Sequence, residues 1–378
     1  MSPPRRSHLA VGGVRLHVLG GTGEDHRCVR HQTGWAAGSA ADPPDVVLRF
    51  VPDLADDALA GSPPLRLVGV EHACTQDAVV CRAPGPGPAR RVHVPLARRP
   101  SPWLLTCESG ASTVPLLLDV LNVAALRTGL LPLHAGAFLL GGAGSVVTGW
   151  SKGGKTETVL GVMAQRDDAA FVGDEWVYVE PESGVVHGSA HPVRVWAWHL
   201  DQLPALRAAV PARQLRRLDA LSRVRSAHRR AAARAASALP VRVASALMPV
   251  LEQRHGAYLE PDELFGQQRV VASGRLDRLV HVESWQSDRT EVRQVSGREV
   301  ADRMAVSLQT ERADLTRACA ALRYVHPDAD LSWEAAAQEV ERSLLHAAFD
   351  DAPAVEVRHP YPVDIADLAR HVLTGAVS

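Results

Sequence analysis

The stretch VVTGWSKGGKTETVL, residues 146–160, decides how the rest of this chain is read. Gly149, four intervening residues, then Gly154, Lys155 and Thr156 satisfy G-x-x-x-x-G-K-[ST], a loop whose backbone N–H groups wrap nucleotide phosphates. A polyphosphate carries dense negative charge, so its site must offer backbone donors, a helix N-terminus and a cation without side chains in the way. Gly149, Gly153 and Gly154 permit that approach, with Trp150, Ser151 and Lys152 completing the loop. Lys155 would reach the β and γ phosphates, and Thr156 would place its hydroxyl on Mg²⁺. The odd member is Trp150.

Upstream, LPLHAGAFLLGGAGSVVTG (131–149) holds two apolar runs around a Gly-Gly-Ala-Gly turn, which predicts a hairpin feeding the loop. Before it, SGASTVPLLLDVLNVAALRTG (109–129) predicts a helix, with Ser112 or Thr113 to cap it, Pro115 in its first turn and Gly129 near its end. Downstream, a helix from about 154 to 165 is expected, then AAFVGDEWVYVE (169–180), an apolar strand ending in Asp174 and Glu175. Asp174 is the natural second metal-side carboxylate, with Glu175 beside it. Strand, glycine loop, helix and carboxylate-tipped strand form the context that gives the loop physical meaning. GVVHG (184–188) and VRVWAWHL (193–200) predict further strands, the second with Trp196 and Trp198 alternating on one core face.

Farther out, residues 8–100 show short apolar alternations such as VRLHVLG, DVVLRFV and RRVHVPLA, broken by Gly, Pro and Asp clusters. Residues 1–110 therefore read as a β-rich N-terminal domain, and 111–378 as a second unit built on the loop. Within it, residues 204–240 are Ala- and Arg-rich with Asp219 the only acid, a helical composition read as a solvated excursion rather than a binding surface. RLDRLVHVESW (275–285) and AVEVRHP (354–360) predict strands, and amphipathic helices are expected over 297–324 and 332–348.

The 378 residues suffice for two units, and a formal net charge of -1 gives no global reason to expect nucleic acid or a membrane surface as partner. Five cysteines without C-x-x-C spacing argue against a zinc site and a disulfide framework, and for reduced thiols in a cytoplasmic protein. No run of eighteen apolar residues occurs.

Four segments in order, PLHAG (132–136), GWSKGGKTE (149–157), FVGDEW (171–176) and ELFGQQRVVASGRLDRLVHVESWQSDRT (263–290), resemble the HPr kinase/phosphorylase family and, more distantly, phosphoenolpyruvate carboxykinase. A weaker echo is SGREVADRMAV (296–306), so the likeness spans about 130–310. It implies an α/β fold: a P-loop kinase domain of HPr-kinase type, here after a β-rich N-terminal domain and before a helical C-terminal part. It also implies ATP and Mg²⁺ as cofactors and a serine hydroxyl of a small protein as acceptor. Family members are often hexameric, which implies a homo-oligomer.

Carried over by position, Lys155, Thr156 and Asp174 match nucleotide and metal positions, Glu157 matches the acid after the loop Ser/Thr, and His134 matches the histidine of the preceding strand. The expected catalytic set is His134, Lys155, Asp174 and Glu175. Two departures stand out. The family carries an aspartate as base directly after the first loop glycine, where this chain has Trp150, and its arginine- and glycine-rich signature segment is missing. The expected activity is thus ATP-dependent phosphorylation of a hydroxyl on a peptide or small protein. A non-catalytic nucleotide-binding module and a small-molecule or carboxykinase-like kinase are the alternatives.

Overall fold

The computed structural model describes residues 5–83, 89–97, 101–235 and 256–375. The Pro/Gly cluster at 84–88 and the end of the Ala/Arg-rich segment at 236–240 lie outside them. The chain is a mixed α/β protein built on two large sheets.

The first sheet has nine strands, drawn from Arg6–Val11 to Trp103–Glu108. Its centre is parallel: Val14–Gly20 pairs with Val46–Val51, which pairs with Trp103–Glu108. Parallel neighbours need a crossover, supplied here by the helix Gly23–Thr33. That helix is a feature the β-rich reading omits. Its N-terminus is fixed by a capping box, in which Thr22 accepts from the Asp25 N–H and Asp25 accepts from the Thr22 N–H.

The second sheet carries the glycine loop. Across it run Ala169–Gly173, Gly136–Leu140, Ala143–Thr148, Ser273–Trp285, Ala354–Pro360 and Glu291–Val295. Gly136–Leu140 is antiparallel to both its neighbours, while Ser273–Trp285 and Ala354–Pro360 run parallel to Ala143–Thr148. Four strands therefore end at one edge, and the start of Gly136–Leu140 lies there too. The hairpin 136–148 turns at Gly141–Gly142, both at positive φ, as a two-residue turn of the type that continues strand twist requires. A branch of three strands, Leu131–Leu133, Val177–Glu180 and Val185–Gly188, joins the first half of Ser273–Trp285.

Helices cover both faces. Val147, Val280, Val282, Val355 and Val357 pack under the helices Lys155–Gln165 and Ile365–Thr374. On the other face, Val146, Leu279 and Ala354 meet Val300, Met304 and Leu308 of the helix Gly297–Glu311. Burying each of these Val, Leu and Met side chains contributes about 1.5–3 kcal/mol.

Three expectations need correction. The helix after the first sheet begins at Leu117, without a side-chain cap, because Leu116 turns left-handed (φ 61) and places Ser112, Thr113 and Pro115 in the preceding turn. Val193–Trp196 is a strand, but the chain becomes helical at Ala197, so Trp196 and Trp198 do not share a strand face. The segment 297–324 is two helices, Gly297–Glu311 and Ala313–Val325, broken at Arg312. No helix among the described residues is long and apolar enough to cross a membrane.

Candidate functional site

The shared edge of the second sheet gathers the chemistry, since crevices at the carboxyl ends of parallel strands bind ligands. Thr148 ends its strand and the loop Gly149–Gly154 curls into the helix that starts at Lys155. Two glycines are obligatory in this path. A Cβ on Gly149 (φ 149) would lie 2.4 Å from the Val282 carbonyl oxygen, and one on Gly154 (φ 105) 2.7 Å from Nε2 of His359. The N–H of Gly153 donates to the Trp150 carbonyl at 3.0 Å, closing the turn, while Ser151 and Lys152 are exposed at its tip.

Lys155 is buried and folds back over the loop, its Nζ donating to the carbonyls of Gly149 (3.2 Å) and Trp150 (3.0 Å). Burial lowers its proton affinity, which the neighbouring carboxylates, Asp174 foremost, partly restore. Thr156 donates its hydroxyl to Asp174 at 2.8 Å, tying the helix start to the end of Ala169–Gly173. Asp174 is itself buried, and desolvation, with Glu175 adding to it, raises its pKa. Its side-chain partner is a neutral hydroxyl. Two hard oxygen donors, one of them a buried carboxylate, are a fitting site for a divalent cation such as Mg²⁺.

Beyond Asp174 the charges interlock. Nε2 of His134 lies 3.3 Å from Glu175 and its Nδ1 2.6 Å from Glu311, while its ring stacks on Trp176. Burial works against the imidazolium, but the two carboxylates outweigh it and raise the pKa of His134. Glu175 is correspondingly lowered, chiefly by its hydrogen bond with His134. Lys152 (φ 63) and Glu175 (φ 67) are two of the three non-glycine residues at positive φ among those described. Such strain persists where surrounding structure enforces it, and here it concentrates at one edge of one sheet.

Glu157 pairs with the buried His199 at 3.2 Å, while its charge still acts on Lys155 and Asp174. Trp150, 52% exposed, stands at the mouth of the loop instead of packing beneath it.

Four residues that no motif signalled complete the surroundings: Glu311 on His134, His199 on Glu157, His359 on the Gly153 carbonyl at 2.9 Å, and His191, buried near Glu175. Each comes from a distant element, so local spacing carries no trace of it. His281, Glu283 and Glu356 also converge on the adjacent strands with metal-ligand spacing. Arg303 and Arg293 already pair with Glu356, and Arg303 with Glu283, so a cation finds no uncompensated charge there.

A scan against protein-family models finds no match for this chain, and a search of curated proteins finds no relative.

Proposed function

We propose that this protein is an ATP- and Mg²⁺-dependent phosphotransferase of the HPr-kinase-like P-loop type, acting on a hydroxyl group, with a serine of a peptide or small protein as acceptor. The reading is carried by one observation: the Thr156–Asp174 hydrogen bond, 2.8 Å long, at the mouth of a glycine loop whose own lysine is folded onto it. Thr156 and Asp174 would hold Mg²⁺, which when bound supplies charge neutralisation and orientation of phosphate oxygens.

The protein's own groups divide the remaining work. Lys155 exchanges two carbonyl partners for phosphate oxygens, whose charge restores its proton affinity. His134, whose proton affinity Glu175 and Glu311 raise, adds a second group able to carry positive charge near the transferring phosphoryl. The indole of Trp150 accepts no proton. Asp174 is committed to the metal, and the neighbouring Glu175, its proton affinity lowered chiefly by the hydrogen bond with His134, is the carboxylate left to receive the acceptor's proton once transfer is under way. Transfer through a loose transition state rests mostly on positioning and charge, so a late proton acceptor suffices.

The test is transfer of ³²P from γ-labelled ATP to serine peptides and small hydroxylated metabolites. Label should appear in an acceptor and fall by at least ~100-fold in Lys155→Ala. The exposed tryptophan in place of the family's base favours a second reading, a nucleotide-binding module without transfer. Ordinary ATP affinity with no phosphorylated acceptor or water would establish that module and end the kinase reading.

A further inference from the structure

The loop has two flanks, and they differ in chemistry. On one lie Asp174 and His134, at the ends of Ala169–Gly173 and before Gly136–Leu140. This is the metal and terminal-phosphate side. The other flank belongs to Ala354–Pro360, whose His359 touches Gly153 at 2.9 Å and limits Gly154. A polyphosphate that begins at Asp174 and follows the helix N-terminus must deliver its sugar and base toward this second flank.

What stands there is an aromatic ring on a braced loop. Val355 and Val357 face the helix Lys155–Gln165, His359 continues that alternation, and Tyr361 follows two residues later, in the bend just past the strand's end at Pro360. Tyr361 is 80% exposed in a chain with only 4% aromatic residues. The segment carrying it is pinned at both ends. His359 holds Gly153, while Gln202 donates to the Val363 carbonyl at 3.0 Å and accepts from the Ile365 N–H at 2.8 Å. Backbone held on both sides of the ring limits what must be ordered on binding to the side chain's own two torsions, a small cost for a large stacking surface.

We infer that Tyr361 is the platform for the nucleobase of the bound nucleotide. The inference rests on the proposed phosphate cradle. A base–aromatic stack tolerates any base, so the site selects nucleotides over bare polyphosphate rather than one base over another.

Titration calorimetry of the intact protein with Mg²⁺ present, comparing ATP with inorganic tripolyphosphate, separates the two claims. Tyr361→Ala should weaken ATP about 10-fold and leave tripolyphosphate unchanged, and Tyr361→Phe should bind both like wild type. Unchanged ATP affinity in Tyr361→Ala, or an equal loss for both ligands, overturns the platform. The cradle is tested by Lys155→Ala, which should weaken both ligands. Wild-type protein that binds neither, or a Lys155→Ala protein that binds tripolyphosphate normally, removes the cradle and the platform with it.

Discussion

His134 shows how a single residue registers the charge of a whole site. Its folded pKa is raised above the ordinary 6.5, so its ion pairs stabilise the fold fully below about pH 6.5, and that share is lost as pH rises through the folded value. Glu175 and Glu311 have lowered values, so their share is present above about pH 4.5 and is lost as pH falls through the folded values. The stability gap between wild type and His134→Gln is therefore expected to be widest, about 1–3 kcal/mol, between those limits, and to narrow above neutrality. Urea melts at pH 5.5 and 8.5 measure it; a gap indifferent to pH would show that the imidazole acts by packing alone. The sequence made Gly149, Lys155, Thr156 and Asp174 legible because they lie in contiguous stretches with fixed spacing. Glu311 was invisible, since it reaches His134 from the end of a helix whose apolar period speaks only of core packing.

Between residues and molecule, the elements obeyed periodicity where the backbone was ordinary. The strand Ser273–Trp285 and the helix Ile365–Thr374 follow their apolar patterns. Departures occur where one residue overrules its neighbours. Leu116 at positive φ delays a helix, and Arg312 divides another although the hydrophobic pattern runs on through it. The division has a cause in packing: Arg312 is buried and its guanidinium meets Glu341 of the helix Ser332–Phe349, with Nη2 at 2.7 Å. Breaking such a pair from one side strands a charge. Arg312→Ala should cost about 3–5 kcal/mol, while the double variant Arg312→Met, Glu341→Leu should recover most of it. Chemical denaturation decides the matter, and a double variant as unstable as the single one would refute the account. The helix Gly23–Thr33 passes unread, because its few apolar residues give it no period and its capping box Thr22–Asp25 sits among strand signals.

At the scale of the molecule the two sheets are not separate bodies in their packing. Leu315, Cys319, Leu322, Trp333 and Ala337, all from C-terminal helices, belong to the same core as Val46, Leu48 and Trp103 of the first sheet. Trp103 and Trp333 meet edge to face with centroids 5.2 Å apart, and Trp333 donates to the Leu96 carbonyl at 2.8 Å. A division near residue 110 can be drawn from composition, but composition cannot reveal that residues 313–337 return to close the first sheet. One cooperative thermal transition is therefore expected in calorimetry; two resolved transitions would mean that this shared core does not couple the halves.

Ala354–Pro360 is hydrogen-bonded on both sides, to Ser273–Trp285 and to Glu291–Val295. Ribosomes deliver that strand after both of its neighbours, so a nascent chain carries two unmatched edges until it emerges. Prematurely terminated chains would present those edges to one another, making incomplete synthesis a route to aggregation.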